Sequence, residues 1–458
     1  MLAYIGLIAS VALLIYLALR GVNIILASLI CSLMVVLSNQ LSIAESFTVF
    51  YPLGKLGAFT FAGKFFLLFA CGAMFGRVMG ESGAASAIAL SLSRWLGAQR
   101  ALWITVLACA LLTYGGVVVF VVIFTMYPLG LKLLEESNLP KRLFCAALAL
   151  GSGTFTLTAL PGTPSIHNVI PSLALGTDLY AGAIYGLLGG LMMFALGMWY
   201  LERERVIAQS KGEVFEPNER DKQIQASGAL VSASWQKALI PMVVVLGLIV
   251  SPRLCLSLAG QDLLQGETLF AQWLKFASKQ AVLWPSISLA VGSVVTLLLF
   301  SNVRNRSLQL LGAGAEDSIM PLINTAAVIG FGGVVTSTVG FNQFSELMLN
   351  SSLPPMLSMF FSISLMSGIV GSASGGLQIF METMAPHFLA MGFDAGTLHR
   401  LAAMASGGLD SLPHSGAVVA MLTITGLNHK QVYKDIAVIT VVIPIIATLS
   451  VIGIASFI

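Results

Sequence analysis

Charge is scarce in this chain. Only 9% of its 458 residues are Asp, Glu, Lys or Arg, against about 25% in ordinary soluble domains. Hydrophobic residues make up 57%, and the mean hydropathy is +0.92. A soluble globular domain cannot carry that balance, and a net charge of +3 on so few groups points to no nucleic-acid partner. Cysteine is sparse too. Cys31, Cys71, Cys109, Cys145 and Cys255 stand apart, without CxxC or CxxH spacing. They signal neither a disulfide framework nor a metal site and read as small packing residues. The first residues, MLAYIGLIASVALLIYLALR, have no basic n-region and no clear small-residue cleavage site. They are expected to be a retained first span, not a signal peptide.

Apolar runs fill what is left. A helix needs roughly 20 apolar residues to cross a bilayer. Plain candidates are 2–19, 22–38, 60–79, 178–200, 238–258, 281–301, 318–338 and 432–456. The expected fold class is an all-α polytopic membrane protein in contact with the lipid bilayer. One long hydrophilic stretch, LERERVIAQSKGEVFEPNERDKQ at 201–223, divides the chain. It reads as a solvated loop with a little helix, so the chain is parsed as a first half 1–200, a linker 201–237 and a second half 238–458.

The halves echo each other. FGRVMG (75–80) answers FGGVVT (331–336), and YGGVVVF (114–120) answers SGGLQIF (374–380). Tyr127-Pro128 answers Ala385-Pro386, KRL (141–143) answers HRL (399–401), and ALPGT (159–163) answers SLPHS (411–415). Five matches in order, at offsets of 252 to 260, indicate an internal repeat, a common plan among secondary transporters.

Lysine and arginine set the expected topology. Let 101–130 be a re-entrant hairpin with its tip near Tyr114-Gly115-Gly116, let 141–176 cross as one interrupted helix, and let the second half repeat the plan upside down. Its hairpin is then 357–392 and its broken helix 398–427. Seventeen of the 23 basic residues fall on one side, as the positive-inside rule requires of the cytoplasmic face. Each half holds five spans and one hairpin, and the odd count inverts the second. The linker is placed in the cytoplasm.

The stretch GTFTLTALPGTPSIHN at 153–168 carries most of the functional argument. Pro161 and Pro164 remove backbone donors and break the helix. Irregular backbone at membrane depth is tolerated only where protein buries it or a watery cavity receives it. Freed carbonyls, a half-helix N-terminus suited to an anion, and polar groups of Thr158, Thr163, Ser165, His167 and Asn168 are expected to face a ligand, with Gly162 at the break. The partner break, ASGGLDSLPHSGAVV at 405–419, offers Asp410, Ser411, His414 and Ser415. The hairpin tips offer Tyr114, Gly115 and Gly116 from one half, and Ser374, Gly375 and Gly376 from the other. The glycines suit close backbone approach to a ligand and equally close helix packing. Tyr114 and His167 read equally as packing groups, and His399 as structural. His429 reads as a solvated loop residue.

An ionisable group inside the membrane is costly and is a functional hypothesis by default. Asp410 is the expected proton carrier, with His414 four residues on to share the proton or meet the substrate. Glu382 is a second acid at depth. Asp410, Ser411 and His414 also contain the residue types of a hydrolytic triad, and a buried Asp410–His414 ion pair is the bland alternative. No metal or organic cofactor is expected. The coupling ion is expected to be H+, with Na+ as the alternative, because unwound carbonyls and hydroxyls can hold it.

The chain resembles the gluconate permease family of bacterial carboxylate symporters. The likeness lies in GAMFGRVMGESG (72–83), LTYGGVVVFVVIFTMYPLG (112–130), LPKRL (139–143), TALPGTPSIHNVIP (158–171) and GLDSLPHSGAVVAMLTITGLNHKQVYKDI (408–436). That resemblance implies proton-coupled symport of a sugar acid such as gluconate or a short hydroxycarboxylate such as 3-hydroxybutyrate, across the bacterial inner membrane. It also implies the ion-transporter-superfamily plan: a homodimer with a fixed scaffold and a moving, elevator-type transport domain, here 101–176 with 357–427. Gluconate carriers tend to have His-Pro-Gly-Pro at the first break. Leu160-Pro161-Gly162-Thr163-Pro164 stands there instead, closer to the 3-hydroxybutyrate-type branch.

Overall fold

The computed structural model describes residues 2–219, 221–222, 234–259, 268–413 and 415–456. Every regular element among them is a helix. His414 and part of the 201–237 linker lie outside the described residues.

Helices α1 (Leu2–Leu19) and α2 (Ile24–Ser38) form a hairpin. Asn23 caps α2 by accepting from the backbone N–H groups of Ile25 and Leu26. Next come α3 (Ala58–Glu81) and the amphipathic α4 (Ala84–Leu96). Then α5 (Ala101–Tyr114) turns through Gly115–Val118 into α6 (Val119–Ser137). At 1.5 Å per residue α5 spans only about 21 Å. Helix α7 (Lys141–Gly153) ends at a break that contains the single turn Phe155–Thr158, and α8 (Ile166–Leu175) follows. The long α9 (Ala183–Ser210) closes the half.

The second half opens with α10 (Trp235–Ala259). Helices α11 (Leu269–Lys279) and α12 (Leu283–Leu299) meet at a bend of 105°. Beyond them run α13 (Ser307–Thr336) and the short α14 (Val339–Leu349). Helix α15 (Pro355–Val370) turns at Gly371 into α16 (Ala373–Thr383). Helix α17 (Ala395–Ser406) breaks before α18 (Gly416–Thr425), and α19 (His429–Ala455) ends the described chain.

Among the described residues α3, α9, α10, α13 and α19 are each long and apolar enough to cross a bilayer. Each overlaps one of the spans read from the sequence. Helices α4, α11 and α14 are absent from that reading, because each is too short for a 20-residue window.

Two packing relations organise the molecule. Helices α3 and α13, which carry the FGRVMG and FGGVVT repeats, lie side by side. A Cβ on Gly314 would come 2.7 Å from Met74 Cα, so only glycine permits this approach. The distal arms of the two broken helices are exchanged. Helix α8 packs on α16 and α17 of the second half, and α18 packs on α6 and α7 of the first. The arms match in length, 13 and 10 residues in one broken helix, 12 and 10 in the other. Both distal arms start after a serine, Ser165 or Ser415. Both end on a left-handed glycine, Gly176 (φ 65, ψ 25) or Gly426 (φ 66, ψ 23).

The linker has the little helix expected of it, but it is not merely solvated. Helix α9 runs on through the charged stretch to Ser210, and Asp221 is wholly buried. Lys141 and Arg142 at the start of α7 collect Asp221, Glu204, Glu213 and Asp435 into a charge network.

Candidate functional site

Both hairpin tips and both breaks meet at one cavity of about 630 Å³. Gly116 and Gly371 make the two tips, with φ of +98 and +65, left-handed values that favour glycine. Ser165 and His167 from the first break line the cavity, as do Asp410, Ser411 and Ser415 from the second. Ser372 and Ser374 reach it from the second tip, and Thr113 and Ser152 from the first half.

Five helices start at this cavity: α2 at Ile24, capped by Asn23, α6 at Val119, α8 at Ile166, α16 at Ala373 and α18 at Gly416. First-turn N–H groups have no partner within their helix, and each N-terminus carries roughly half a positive charge. Among the described residues no lysine or arginine lines the cavity. The attraction for an anion therefore comes from main-chain dipoles, with a single carboxyl group, Asp410, in their midst. The Ser411 hydroxyl donates to Asp410 Oδ1 at 3.0 Å. Two polar atoms of lining residues are buried without a hydrogen-bond partner, His167 Nδ1 and Asn324 Oδ1. The remaining wall is mainly apolar, with Val117, Leu68, Phe69, Leu289, Met320 and Val328 prominent, and Asn23, Thr325 and Thr440 are its further polar residues.

Other residues expected at the site stand behind the wall. The Tyr114 hydroxyl donates to Pro161 O at 2.9 Å. Thr158 bonds back to Thr154 O at 3.2 Å. Asn168 Nδ2 donates to Thr163 O at 3.0 Å and Leu179 O at 2.9 Å. The Thr163 hydroxyl is buried and unpartnered away from the cavity. Gly162, at φ +84, packs against the Tyr180 ring. Gly115 packs on Met242. Gly375 and Gly376 lie inside α16 and not at the tip; a Cβ on Gly376 would meet Ser367 N at 2.3 Å, so both serve the close packing of the hairpin arms. Glu382 is held by Lys64 at 3.4 Å and by Gln378 at 3.1 Å, off the cavity.

The freed carbonyls of the breaks differ most from expectation. Protein donors take them. Arg400 binds Ala159 O and Leu160 O, Tyr114 binds Pro161 O, and Asn168 binds Thr163 O. In the second break Tyr433 binds Ser411 O at 3.2 Å, and His429 Nε2 meets Pro413 O at 2.8 Å. His429 is thus half-buried and engaged, not a solvated loop residue. Unsatisfied carbonyls in a dry interior cost too much to be left for a ligand that comes and goes.

Asn324 and Thr325 were not signalled by any motif. A polar pair just after Pro321 within an apolar span was the available cue.

A model of the GntP family of permeases matches residues 2–458. The chain is also 35% identical over 449 residues to a Bacillus subtilis (strain 168) protein described as "uncharacterized transporter YxjC", covering 94% of each chain. Sequence, helical architecture and these likenesses agree: the chain belongs to the GntP permease family and is a multi-pass membrane transporter, not an enzyme.

Proposed function

We propose that this transporter is a secondary active symporter that moves a small organic acid anion together with a proton. The observation that carries the reading is the convergence of five helix N-termini on a cavity whose sole acid, among the described residues, is Asp410. The dipoles favour a carboxylate. A charged Asp410 repels that carboxylate across a cavity with an apolar wall, where Coulomb terms are stronger than in water. Protonating Asp410 removes the repulsion. Each ligand then raises the affinity for the other by the same factor, as linkage requires, and proton and anion travel together.

The mainly apolar wall suits a short hydroxycarboxylate of the 3-hydroxybutyrate type better than a polyhydroxylated sugar acid such as gluconate, which has more hydroxyls to strip of water and pair again. The exchanged distal arms and their matched lengths support two inverted repeats. In that plan 101–176 and 357–427 form a moving transport domain against a scaffold built from the remaining spans, within a homodimer in the bacterial inner membrane. The 201–237 linker is cytoplasmic.

Uptake of radiolabelled 3-hydroxybutyrate and gluconate into proteoliposomes tests this directly. An inward proton gradient in sodium-free buffer is expected to drive accumulation of the short acid. Accumulation that needs sodium and ignores the pH gradient would overturn proton coupling.

A further inference from the structure

Arg400, on α17, is wholly buried, and it is the largest fully buried side chain of the described chain. No carboxylate pairs with it among the described residues. Four carbonyl oxygens surround it instead. Its Nε donates to Ala181 O at 3.0 Å, its Nη1 to Ala159 O at 3.2 Å and Leu160 O at 3.5 Å, and its Nη2 to Leu179 O at 3.0 Å. Asp178, beside Leu179, is itself bound by Arg253 at 2.7 Å. A guanidinium with no counter-ion in a dry interior is costly, so these main-chain dipoles solvate it.

The surroundings are shaped for it. A Cβ on Gly182 would stand 2.5 Å from Arg400 Cβ, and one on Gly186 would stand 2.9 Å from Arg400 Cδ. The neighbouring His399 bridges Asn168 Oδ1 at 2.8 Å and Thr177 Oγ1 at 2.7 Å, which pins the start of α8. Ala159 O and Leu160 O belong to the break, and Leu179 O and Ala181 O to the segment between α8 and α9. Irregular backbone carbonyls converging on one point are also what a sodium-coupled carrier uses to hold its ion. Among the described residues the second break has no such occupant: its Ser411 and Pro413 carbonyls meet the side chains of Tyr433 and His429.

We propose that Arg400 is a tethered cation standing at the first break in place of a free monovalent metal ion. It holds the interrupted backbone so that Ser165, Ile166 and His167 face the cavity, and this half of the site consequently needs no sodium. Arg400 is a positioning residue, since it does not line the cavity. Its effect on uptake rests on the transport reading; its place in the carbonyl cage does not.

The test joins two measurements on purified full-length protein. The first is thermal unfolding in detergent, in choline, sodium or guanidinium chloride at equal ionic strength. Arg400→Ala is expected to melt below wild type in choline and to regain most of the loss in guanidinium or sodium, while wild type responds to neither. The second is proteoliposome uptake. Wild type is expected to run equally in sodium and choline. Arg400→Ala is expected to raise KM by about tenfold or more, equivalent to ~1.4 kcal/mol, with a smaller change in the maximal rate, and Arg400→Lys to restore much of it. Should Arg400→Ala fail to fold, Arg400→Lys and Arg400→Gln replace it: the charged variant should resemble wild type, and the neutral one should respond to added cation. Equal behaviour of Lys and Gln overturns the proposal, as does a wild type that needs sodium, or an Arg400→Ala protein that melts and transports like wild type. Cation rescue of melting with no uptake of any acid sinks the transport reading alone.

Discussion

Lys141 Nζ lies 2.7 Å from Asp221 Oδ2, with the lysine 8% and the aspartate 0% exposed. The same ammonium donates to Thr425 O at 3.1 Å, and the Tyr127 hydroxyl donates to Asp221 Oδ1 at 2.7 Å. One buried ion pair thereby joins the first arm of one broken helix, the last turn of the other and the linker between the halves.

Removing one partner leaves the other charge buried and alone. Lys141→Met and Asp221→Asn are each expected to cost about 3–5 kcal/mol. The double variant should recover part of that loss, because no orphan charge remains. Melting of the four proteins in detergent checks this, and additive losses would show that the pair is not coupled.

Arg142 makes a pH-sensitive clasp on the same face. Its Nε donates to Glu213 Oε2 at 2.7 Å, and its Nη1 to Asp435 Oδ2 at 2.6 Å. The guanidinium beside Glu213 holds that carboxyl below the usual carboxylate range. A depressed folded-state pKa contributes stability that is full above the unfolded value of about 4.3 and is lost as pH falls through the folded value. Linker docking, followed by hydrogen exchange around 213–219, is expected to hold at neutral pH and to loosen below about pH 4. Glu213→Gln should remove that acid limb, and an unchanged profile would contradict the assignment.

Much of this fold is legible in the residues. Glycine and proline mark the first tip and the first break because backbone chemistry is local: Gly116 sits at positive φ, and Pro161 and Pro164 interrupt the first broken helix. At the second tip the turn falls on Gly371, while the expected Gly375 and Gly376 lie inside α16. The repeat places α7 with α8 opposite α17 with α18 for the same reason. Partner choice is not local. His399 and Arg400 match Lys141 and Arg142 in the KRL and HRL repeats, yet one pair binds carbonyls and an amide while the other binds carboxylates. Residues like Thr158 and Asn168 have the right chemistry for a ligand, and only packing shows that the protein spends it on itself.

Gly376 separates packing from binding. Its ideal Cβ falls 2.3 Å from the Ser367 backbone nitrogen. Gly376→Ala forces the arms of the second hairpin apart, at a cost of about 1–3 kcal/mol typical of overpacking. Melting temperature should fall, with substrate KM little changed at temperatures where the variant is folded. A selective loss of affinity at unchanged stability would return this glycine to the ligand site.

Asp410→Asn keeps the shape of the side chain and abolishes its titration. The proton can no longer be exchanged there, so accumulation against a gradient driven by pH is expected to vanish. Substrate exchange between two loaded faces needs no net proton movement and should survive, since the neutral amide does not repel an anion. Folding should be intact, because the Ser411 hydroxyl that donates at 3.0 Å finds an amide oxygen in the same place. Unchanged accumulation by the variant in proteoliposomes would remove Asp410 from the coupling mechanism.

Ser415 allows the dipole argument to be tested without damaging the helix. It precedes α18 in an extended conformation, makes no side-chain capping bond, and lines the cavity. Aspartate is as good an N-cap as serine or better, and its charge is favourable at a helix N-terminus. Ser415→Asp should therefore fold and melt no lower than wild type. The same charge neutralises one of five converging N-termini and faces the incoming carboxylate. Substrate KM is expected to rise by about tenfold or more, equivalent to ~1.4 kcal/mol. Ser415→Asn, similar in size but uncharged, should stay near wild type. Equal KM values for the aspartate and asparagine variants would mean that the acid is bound away from this helix start.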